Sequence, residues 1–430
     1  MSALENRTMR KVTWRLVPFL MACYFIAYLD RVNIAFAGPS MMQSLGLTAA
    51  AFGGVAGIFF IAYFFFEIPS NLALNRFGAR IWISRIMLTW GLISGAQAFV
   101  ADEFSFYIVR FLLGVAEAGF FPGIIFYMTL WFPASYRARV VGLFMFAVPV
   151  STVIGSPISG YLLNLHGALG LEGWQWIFLI EALPALVMAV GVFSYLTNTP
   201  SEAHWLTFEE KTWLQDRLDA ERENRETHFK KDWFRSVFNM RVIALGLVYM
   251  AINIPQYGLS FFLPQIIKEF GISDVKAGFI ATLPYLVGGL GMIIWSLHSD
   301  RTGERIWHCV VPFIAMIVGL SSAAVADGLQ FKMLALCIAA WGFFSILPIF
   351  WTLPTAFLSG AGAASGIAAV NSIGNLGGYF GPQVFGILKT TTQGDAAGLV
   401  FLAAVAAAGA ILVWSLGHNP ELEKSHQTIE

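Results

Sequence analysis

Six ionisable residues lie inside otherwise apolar stretches of this 430-residue sequence, away from the ends of those stretches: Asp30, Arg31, Glu67, Arg110, Glu117 and Glu181. Ionisable groups in such positions are costly, and they persist where they face a partner, a cavity or a transport path. Arginine guanidinium groups bind carboxylates through two parallel hydrogen bonds, and buried carboxyl groups can carry protons. These residue types predict anion recognition coupled to proton binding. Buried ion pairs that only hold helices together are the structural alternative.

The segment RFLLGVAEAGFFPG, residues 110–123, places Arg110 and Glu117 seven residues apart. Seven residues is close to two helical turns, so the two side chains share one helix face, about 10 Å apart along the axis. Glu117 falls near the middle of its apolar stretch, where burial favours the neutral carboxylic acid, as a proton carrier requires. Asp30 stands beside Arg31, a cation that opposes this effect, so the proton affinity of Asp30 is open at this point. We predict proton coupling for Glu117, and a structural ion pair is the alternative for both acids.

Two arginines are predicted to lie at one depth in the membrane. Arg31 lies about seven residues from the end of the first apolar stretch, and Arg110 lies about six residues from the start of the fourth. Because these stretches run in opposite directions, both arginines lie at a similar distance from the same membrane face. A pair of guanidinium groups at one level predicts a substrate-anion site. The alternative is that each arginine only neutralises Asp30 or Glu117.

Neutral polar residues in the apolar stretches are further candidates for substrate contact. They are Tyr28, Tyr63, Asn253, Gln256, Tyr257, Trp351, Asn371 and Asn375. Tyrosines in membrane spans also serve packing or interface anchoring, and amides also hold helices together. For Glu67, gating and packing are equally supported, whereas the position of Glu181 favours a helix-packing or interfacial role.

The composition is that of a polytopic membrane protein, with 57% hydrophobic residues, 12% charged residues and a mean hydropathy of +0.68. The net charge is zero, so nothing indicates nucleic acid as a partner. The three cysteines lack metal-ligand spacing, and no catalytic motif is present, so we expect neither an enzyme nor a cofactor. About 20 apolar residues per span predicts an all-α integral membrane protein with twelve transmembrane helices: roughly 14–38, 50–74, 81–101, 104–131, 138–164, 174–197, 241–268, 276–298, 307–327, 331–357, 364–390 and 396–417.

Two related halves are predicted. The segment 75–80, NRFGAR, aligns with 300–305, DRTGER, at an offset of 225 residues, and the same offset relates Pro157 to Pro382. We therefore expect two six-helix bundles, 1–197 and 241–430, joined by the charged segment 198–240 as a cytoplasmic linker with an amphipathic helix. Lysine and arginine concentrate in the N-terminal segment and in alternate loops, which predicts that both termini are cytoplasmic.

The segments 75–80 and 300–305 resemble the loop signature of the major facilitator superfamily after spans 2 and 8. Within it, YFIAYLDRVNIAFA (24–37), the segment 110–123 and WQWIFLIEALPA (174–185) resemble the anion:cation symporter family. The resemblance covers nearly the whole chain, and Asn75 departs from it where the signature usually has aspartate. It implies substrate-anion roles for Arg31 and Arg110, proton coupling by Asp30 and Glu117, and cavity positions for Tyr28 and Tyr63. It also implies gating by the loop residues Arg76, Arg80, Asp300, Arg301 and Arg305.

From this resemblance we expect a monomeric, proton-coupled importer of a small organic carboxylate in the lipid bilayer of a bacterial inner membrane. Similarity is strongest to the tartrate and phthalate permease branch, which favours an aromatic acid or a hydroxy acid as substrate. An anion exchanger, a facilitative uniporter and a sugar-acid symporter are the alternatives within transport. A membrane receptor that binds the anion without moving it is the alternative outside transport.

Overall fold

The computed structural model describes residues 3–226, 239–357 and 363–417, and these residues form helices joined by short turns, without a β-strand. Ten helical segments in these ranges are long and apolar enough to cross a membrane. Each span predicted from the sequence corresponds to one helix or to one interrupted helix. The predicted all-helical membrane fold is therefore confirmed.

The first six spans are Ala3–Leu45, Ala49–Phe77, Ala79–Ala96, Glu103–Glu117 with Phe120–Thr129, Ala134–Met145 with Ala147–Leu162, and Gly173–Tyr195. Spans 7 to 12 are Met240–Lys268, Asp274–Thr302, Ile306–Ala324, Leu329–Phe350 with Thr352–Phe357, Ala363–Asn375 with Gly377–Thr392, and Ala396–Ser415. Between the two sets lies one further helix, Phe208–Glu226, within the predicted linker. Span 1 begins well before the predicted residue 14 because the basic N-terminal segment continues the same helix.

Spans pack in the same pattern in both halves. Span 1 packs against spans 5 and 6, span 2 against span 4, and span 3 against spans 4 and 6. Spans 7 to 12 repeat these five pairings when six is added to each number. Between the halves, span 2 packs against span 11 and span 5 against span 8, which are also equivalent pairs. This repetition agrees with the duplicated segments in the sequence and is a common transporter design.

The interrupted spans are numbers 4, 5, 10 and 11, again two equivalent pairs. In span 4 the helix ends at Glu117, and the chain turns through Ala118 and Gly119 before the next helix begins at Phe120. Gly119 has a φ of 84°, a left-handed conformation that glycine adopts without steric strain. Interrupted backbone at membrane depth is tolerated where protein or a cavity surrounds it, so the break marks the interior around Glu117.

At one end of the bundle the two halves meet closely. We call the end with residues 76–80 and 300–305 the signature-loop side, and the opposite end, with residues 49 and 392, the far side. On the far side, a Cβ atom added to Gly386 would lie 2.2 Å from the Ala49 carbonyl oxygen. A Cβ atom added to Gly278 would lie 2.6 Å from the Ser156 carbonyl oxygen. Backbones from the two halves therefore touch on the far side, which is closed in this structure.

The linker helix packs on the first half. Glu210 has a fully buried side chain and forms ion pairs with Arg7 at 2.9 Å and with Lys11 at 2.8 Å. Just before this helix, the Trp205 ring stacks on Trp131 with centroids 5.4 Å apart. These contacts attach residues 205–210 to the signature-loop side of the first half.

Candidate substrate and proton site

Arg31 of span 1 and Glu117 of span 4 form an ion pair and a hydrogen bond at the centre of the first half. The Glu117 side chain is 2% exposed and the Arg31 side chain 13%, so Arg31 is the more open partner. The guanidinium carbon of Arg31 lies 5.2 Å from the Tyr28 ring centroid and 5.9 Å from that of Tyr63. Cations are attracted to the faces of such rings, which hold the guanidinium group in place.

Arg110 is buried between spans 2, 3 and 4. It donates to the Ala56 carbonyl oxygen at 3.1 Å and to Gln97 Oε1 at 3.5 Å. The guanidinium carbons of Arg110 and Arg31 each lie 5.3 Å from the Phe59 ring centroid, so the two cations share one ring. Among the described residues, Arg110 forms no ion pair with a carboxylate.

A close approach of spans 2 and 4 brings Arg110 to this position. A Cβ atom added to Gly114 would lie 2.3 Å from the Phe59 carbonyl oxygen and 2.8 Å from the Ala62 Cβ atom. Gly114 stands one helical turn after Arg110, so its lack of a side chain lets the Arg110 turn reach the Ala56 carbonyl group.

Asp30 is held by neutral donors. Trp90 Nε1 donates to Asp30 Oδ2 at 2.5 Å, and Asn33 Nδ2 donates to Asp30 Oδ1 at 3.0 Å. The Ser94 hydroxyl group also donates to Oδ1. Arg110 acts on Asp30 electrostatically without a direct ion pair. Three hydrogen-bond donors suit an ionised carboxylate in a site that excludes water.

Sequence reasoning missed three polar residues of span 3 and of the 3₁₀ turn that follows it. Trp90, Ser94 and Gln97 follow one another at spacings of four and three residues, so they lie on one helix face. All three contact Asp30 or Arg110. A search for polar residues at helical spacing, in addition to charged ones, would have found them.

The second half reaches the same site through Tyr257 of span 7. Its hydroxyl group interacts electrostatically with Tyr28 and Arg31, and its ring packs on Phe60 with centroids 4.5 Å apart. Tyr257 therefore brings the second half to the guanidinium group of Arg31.

Asn371 of span 11 also connects the two halves. Its Nδ2 atom donates to Glu67 Oε1 of span 2 at 3.1 Å. The Glu67 side chain is buried, and its Oε2 atom has no hydrogen-bond partner among the described residues. This hydrogen bond joins the two halves, and it is compatible with both the gating role and the packing role considered for Glu67.

Two other candidates of the second half make contacts within that half. Asn253 donates to the Gly374 carbonyl oxygen at 3.0 Å and so joins spans 7 and 11. Trp351 packs edge-on against Tyr249 with centroids 4.9 Å apart. Gln256 is buried, and Asn375 is half-buried.

The two signature loops are held differently. Asp300 pairs with Arg305 at 2.8 Å, whereas Arg80 donates to the Phe193 carbonyl oxygen at 2.6 Å. Asn75, at the position equivalent to Asp300, donates to the Asn71 carbonyl oxygen at 3.1 Å. Arg76 and Arg301 are exposed. An amide at position 75 cannot form the ion pair that Asp300 forms.

A sequence profile of the Major Facilitator Superfamily matches residues 20–382. The chain belongs to this superfamily. A relative from Agrobacterium vitis, named "Putative tartrate transporter", is 52% identical over 97% of this chain and 92% of its own length. The "Quinolone resistance transporter" of Acinetobacter baumannii is 40% identical over 99% of this chain and 98% of its own length. This major facilitator protein is thus a transporter and not an enzyme.

A solved structure shows the same fold. The crystal structure of a bacterial homologue of the human lysosomal transporter Spinster is similar to this major facilitator protein with a TM-score of 0.77. The similarity covers 94% of this chain and 96% of the other, at 18% sequence identity. The resemblance drawn from the sequence motifs is confirmed for the superfamily and its fold.

Proposed function

We propose that this protein is a proton-coupled secondary transporter that imports a small organic carboxylate by alternating access. One observation carries the proposal: the Glu117 carboxylate is paired with the Arg31 guanidinium group, to which a substrate carboxylate would bind. Arg31 is partly open, is surrounded by tyrosines from both halves, and is already paired with an internal carboxylate.

Competition for Arg31 links protons to substrate. A proton on Glu117 removes its negative charge and weakens its hold on Arg31, so a substrate carboxylate can take its place. When the proton leaves, Glu117 competes for Arg31 again and displaces the substrate. Because binding free energies are reciprocal, protonation of Glu117 raises substrate affinity and bound substrate raises proton affinity.

Asp30 and Arg110 form the second part of the proposed site. Arg110 is enclosed, so its role is to supply positive charge beside Arg31. Asp30 offsets that charge while it is ionised and strengthens the anion site when it is protonated. In this scheme Asp30 is the second proton-coupling acid.

The proposed substrate class rests on the tyrosine side chains around Arg31 and on the printed name of a similar transporter. Tyr28, Tyr63 and Tyr257 surround Arg31 and offer hydroxyl groups next to a carboxylate-binding fork. A relative that shares 52% identity is named for tartrate, a dicarboxylate with two hydroxyl groups. We propose a small hydroxy acid or aromatic carboxylate, with tartrate as the first compound to test.

In alternating access, the packing between the two halves would change as the transporter opens first to one side of the membrane and then to the other. Residues 1–197 and 241–430 would move relative to each other as units, with Arg76, Arg80, Asp300, Arg301 and Arg305 controlling the signature-loop side. We place that side in the cytoplasm of a bacterial cell on the distribution of lysine and arginine, and we expect a monomer. The closed far side would then make the structure inward-facing.

The test is uptake by the purified protein in sealed liposomes with an imposed inward proton gradient. We expect accumulation of labelled tartrate, or of a competing carboxylate such as phthalate, hydroxyphenylacetate or galactonate, above equilibrium. A protonophore should abolish this accumulation. Exchange without gradient-driven accumulation would indicate an anion exchanger, and equilibration alone would indicate a uniporter. Binding without movement would indicate a receptor.

A further inference from the structure

Arg85 of span 3 carries a guanidinium group that has no acceptor in the described part of the protein. Its Nε atom is buried without a hydrogen-bond partner, and among the described residues its side chain forms no ion pair and no other hydrogen bond. Arg31 and Arg110, by contrast, bind the Glu117 carboxylate and the Ala56 carbonyl oxygen. A guanidinium group has five N–H donors, and these are costly inside a membrane span unless acceptors meet them.

The Arg85 side chain lies on the outer face of span 3. Ile81, Leu88 and Leu92 are 49%, 45% and 57% exposed. With Arg85 they follow one another at spacings of four, three and four residues, so the four side chains share one helix face. Trp90, on the opposite face, is fully buried. Since span 3 crosses the membrane, its exposed apolar face contacts lipid, and Arg85 lies within that face.

The depth of Arg85 brings its guanidinium group to the lipid headgroups. Span 3 begins at Ala79 on the signature-loop side, and Arg85 lies six residues further along. At about 1.5 Å per residue, its Cα atom is about 9 Å along the helix axis from that start. Side chains of an α-helix lean toward its N-terminus, here toward the signature-loop side. A long arginine side chain at this depth therefore extends to the level of the phosphate groups.

The ring of Trp82 holds the guanidinium group in place. The guanidinium carbon of Arg85 lies 3.9 Å from the Trp82 ring centroid, a distance at which a cation is attracted to the ring face. Trp82 Nε1 donates to the Ser70 hydroxyl oxygen of span 2 at 3.0 Å, which fixes the ring. Because the ring covers one face of the planar group, the N–H groups of Arg85 remain available around its edge.

A second arginine lies beside the same rings. The Phe77 ring stacks on Trp82 with centroids 5.5 Å apart and an angle of 12° between the rings. The guanidinium carbon of Arg76 lies 5.6 Å from the Phe77 centroid. Each guanidinium group therefore rests on one ring of the pair. The Phe77 side chain is exposed, so positive charge and apolar surface occur together at the membrane interface.

We propose that Arg85, on the Trp82 ring and beside Arg76, binds the phosphate group of an anionic phospholipid in the leaflet on the signature-loop side. Two phosphate oxygens accept the parallel N–H groups of the guanidinium fork, and the acyl chains lie along Ile81 and Leu88. A soluble anion has no acyl chains for this face, and a zwitterionic lipid carries a cation of its own. The inference rests on the membrane fold and is independent of substrate transport.

The test is native mass spectrometry of the purified protein in a neutral detergent, titrated with phosphatidylglycerol. Arg85→Gln removes the charge and the fork, so binding of the first lipid should weaken about tenfold. Arg241→Gln is the matched control, because Arg241 is exposed at the start of span 7 on the same side. It should weaken binding by less than about twofold. Equal weakening in the two variants would overturn the proposal, since any basic residue on that side would then have the same effect.

Three measurements on folded protein decide the proposal even if Arg85→Gln fails to fold. Phosphatidylcholine with the same acyl chains should bind the wild type about fivefold more weakly than phosphatidylglycerol, and equal binding would overturn the anionic class. Glycerol phosphate at equal concentration should leave phosphatidylglycerol bound, and displacement would show a site for soluble anions instead. Brominated phosphatidylglycerol should quench a fluorescence component that is missing in Trp82→Phe. Identical quenching in that variant would place the lipid elsewhere.

Discussion

The Arg31 guanidinium group is paired with the Glu117 carboxylate across spans 1 and 4, although Arg110 lies on the same helix as Glu117. Glu117 is the last residue of its helix, because the chain turns at Ala118 and Gly119. The break therefore places the acid at the end of a helix, beside an arginine of another span. In this position the Glu117 carboxylate would compete with a substrate carboxylate for the Arg31 guanidinium group.

Glu117→Gln should abolish proton-driven accumulation and preserve exchange of labelled for unlabelled substrate. The amide has no charge to gain or lose, so Arg31 stays available at every pH and proton binding is no longer linked to substrate binding. The measurement is uptake in liposomes with and without a proton gradient, together with exchange at equal pH.

Glu103→Gln is the matched control, since Glu103 is an exposed acid at the start of the same span. It should accumulate substrate as the wild type does. Gradient-driven uptake by Glu117→Gln at the wild-type level would refute the coupling role of Glu117.

Asn371→Ala should widen the signature-loop side. The substitution removes the hydrogen bond from Asn371 to Glu67, which joins spans 11 and 2 on that side of the centre. A net loss of about 1 kcal/mol changes the ratio of two conformations about fivefold. Spin labels at exposed positions 75 and 302 should then report a larger fraction of long distances.

Asn375→Ala is the control for this experiment, because Asn375 lies one turn further along the same span. It should leave the distance distribution unchanged. Equal shifts in both variants would mean that any loss of an amide in span 11 has the effect, independent of Glu67.

The fold followed from the sequence because its signals are periodic and repeated. Apolar stretches of sufficient length predicted the spans, and residues 75–80 and 300–305 predicted the two equivalent halves. The grouping of Asp30, Arg31, Arg110 and Glu117 also followed from their types and depth.

The ion pairs and hydrogen bonds within the site could not be predicted from the sequence, because they depend on which helix faces pack against each other. The depth of Arg31 and Arg110 does not reveal that Arg31 binds Glu117 while Arg110 binds a backbone carbonyl group. Two charged residues of the second half, Lys332 and Asp395, form a buried ion pair at 3.0 Å near the far side. They lie at the starts of spans 10 and 12. Charged residues are common at the ends of membrane spans, so these two did not stand out in the sequence.

Gly386→Ala should open the far side. Its Cβ atom would lie 2.2 Å from the Ala49 carbonyl oxygen, so spans 2 and 11 must separate. Overpacking typically costs about 1–3 kcal/mol, which predicts at least a fivefold loss of the closed state. A cysteine at Gln383, which lies in this contact, should react faster with a membrane-impermeant maleimide.

Gly394→Ala serves as the control on the same side, because nothing lies within 4 Å of its added Cβ atom. Background labelling of Cys23, Cys309 and Cys337 is subtracted using protein without the added cysteine. Equal labelling rates in the two glycine variants would contradict the close packing of spans 2 and 11.

The attachment of the linker helix should depend on pH through Glu210. Burial alone raises the pKa of Glu210, but hydrogen bonds from Lys11 and the Thr207 backbone, together with the charges of Lys11 and Arg7, outweigh it and hold the pKa below its ordinary value. Because the pKa of Glu210 is lower in the folded state than in the unfolded chain, ionised Glu210 stabilises the attachment at pH values above the ordinary glutamate pKa of about 4.3. This stabilisation is lost as the pH falls through the folded-state pKa.

Glu210→Gln should therefore increase deuterium uptake in residues 208–221 at neutral pH and should have little further effect in acid, where wild-type Glu210 is itself protonated. Exchange is measured by mass spectrometry and corrected for the intrinsic pH dependence of amide exchange. Glu209→Gln is the matched control, because the Glu209 side chain is 78% exposed and approaches Arg7 only to 4.0 Å. Equal exchange in Glu210→Gln and the wild type at neutral pH would show that the Trp205 and Trp131 stack holds the linker without these ion pairs.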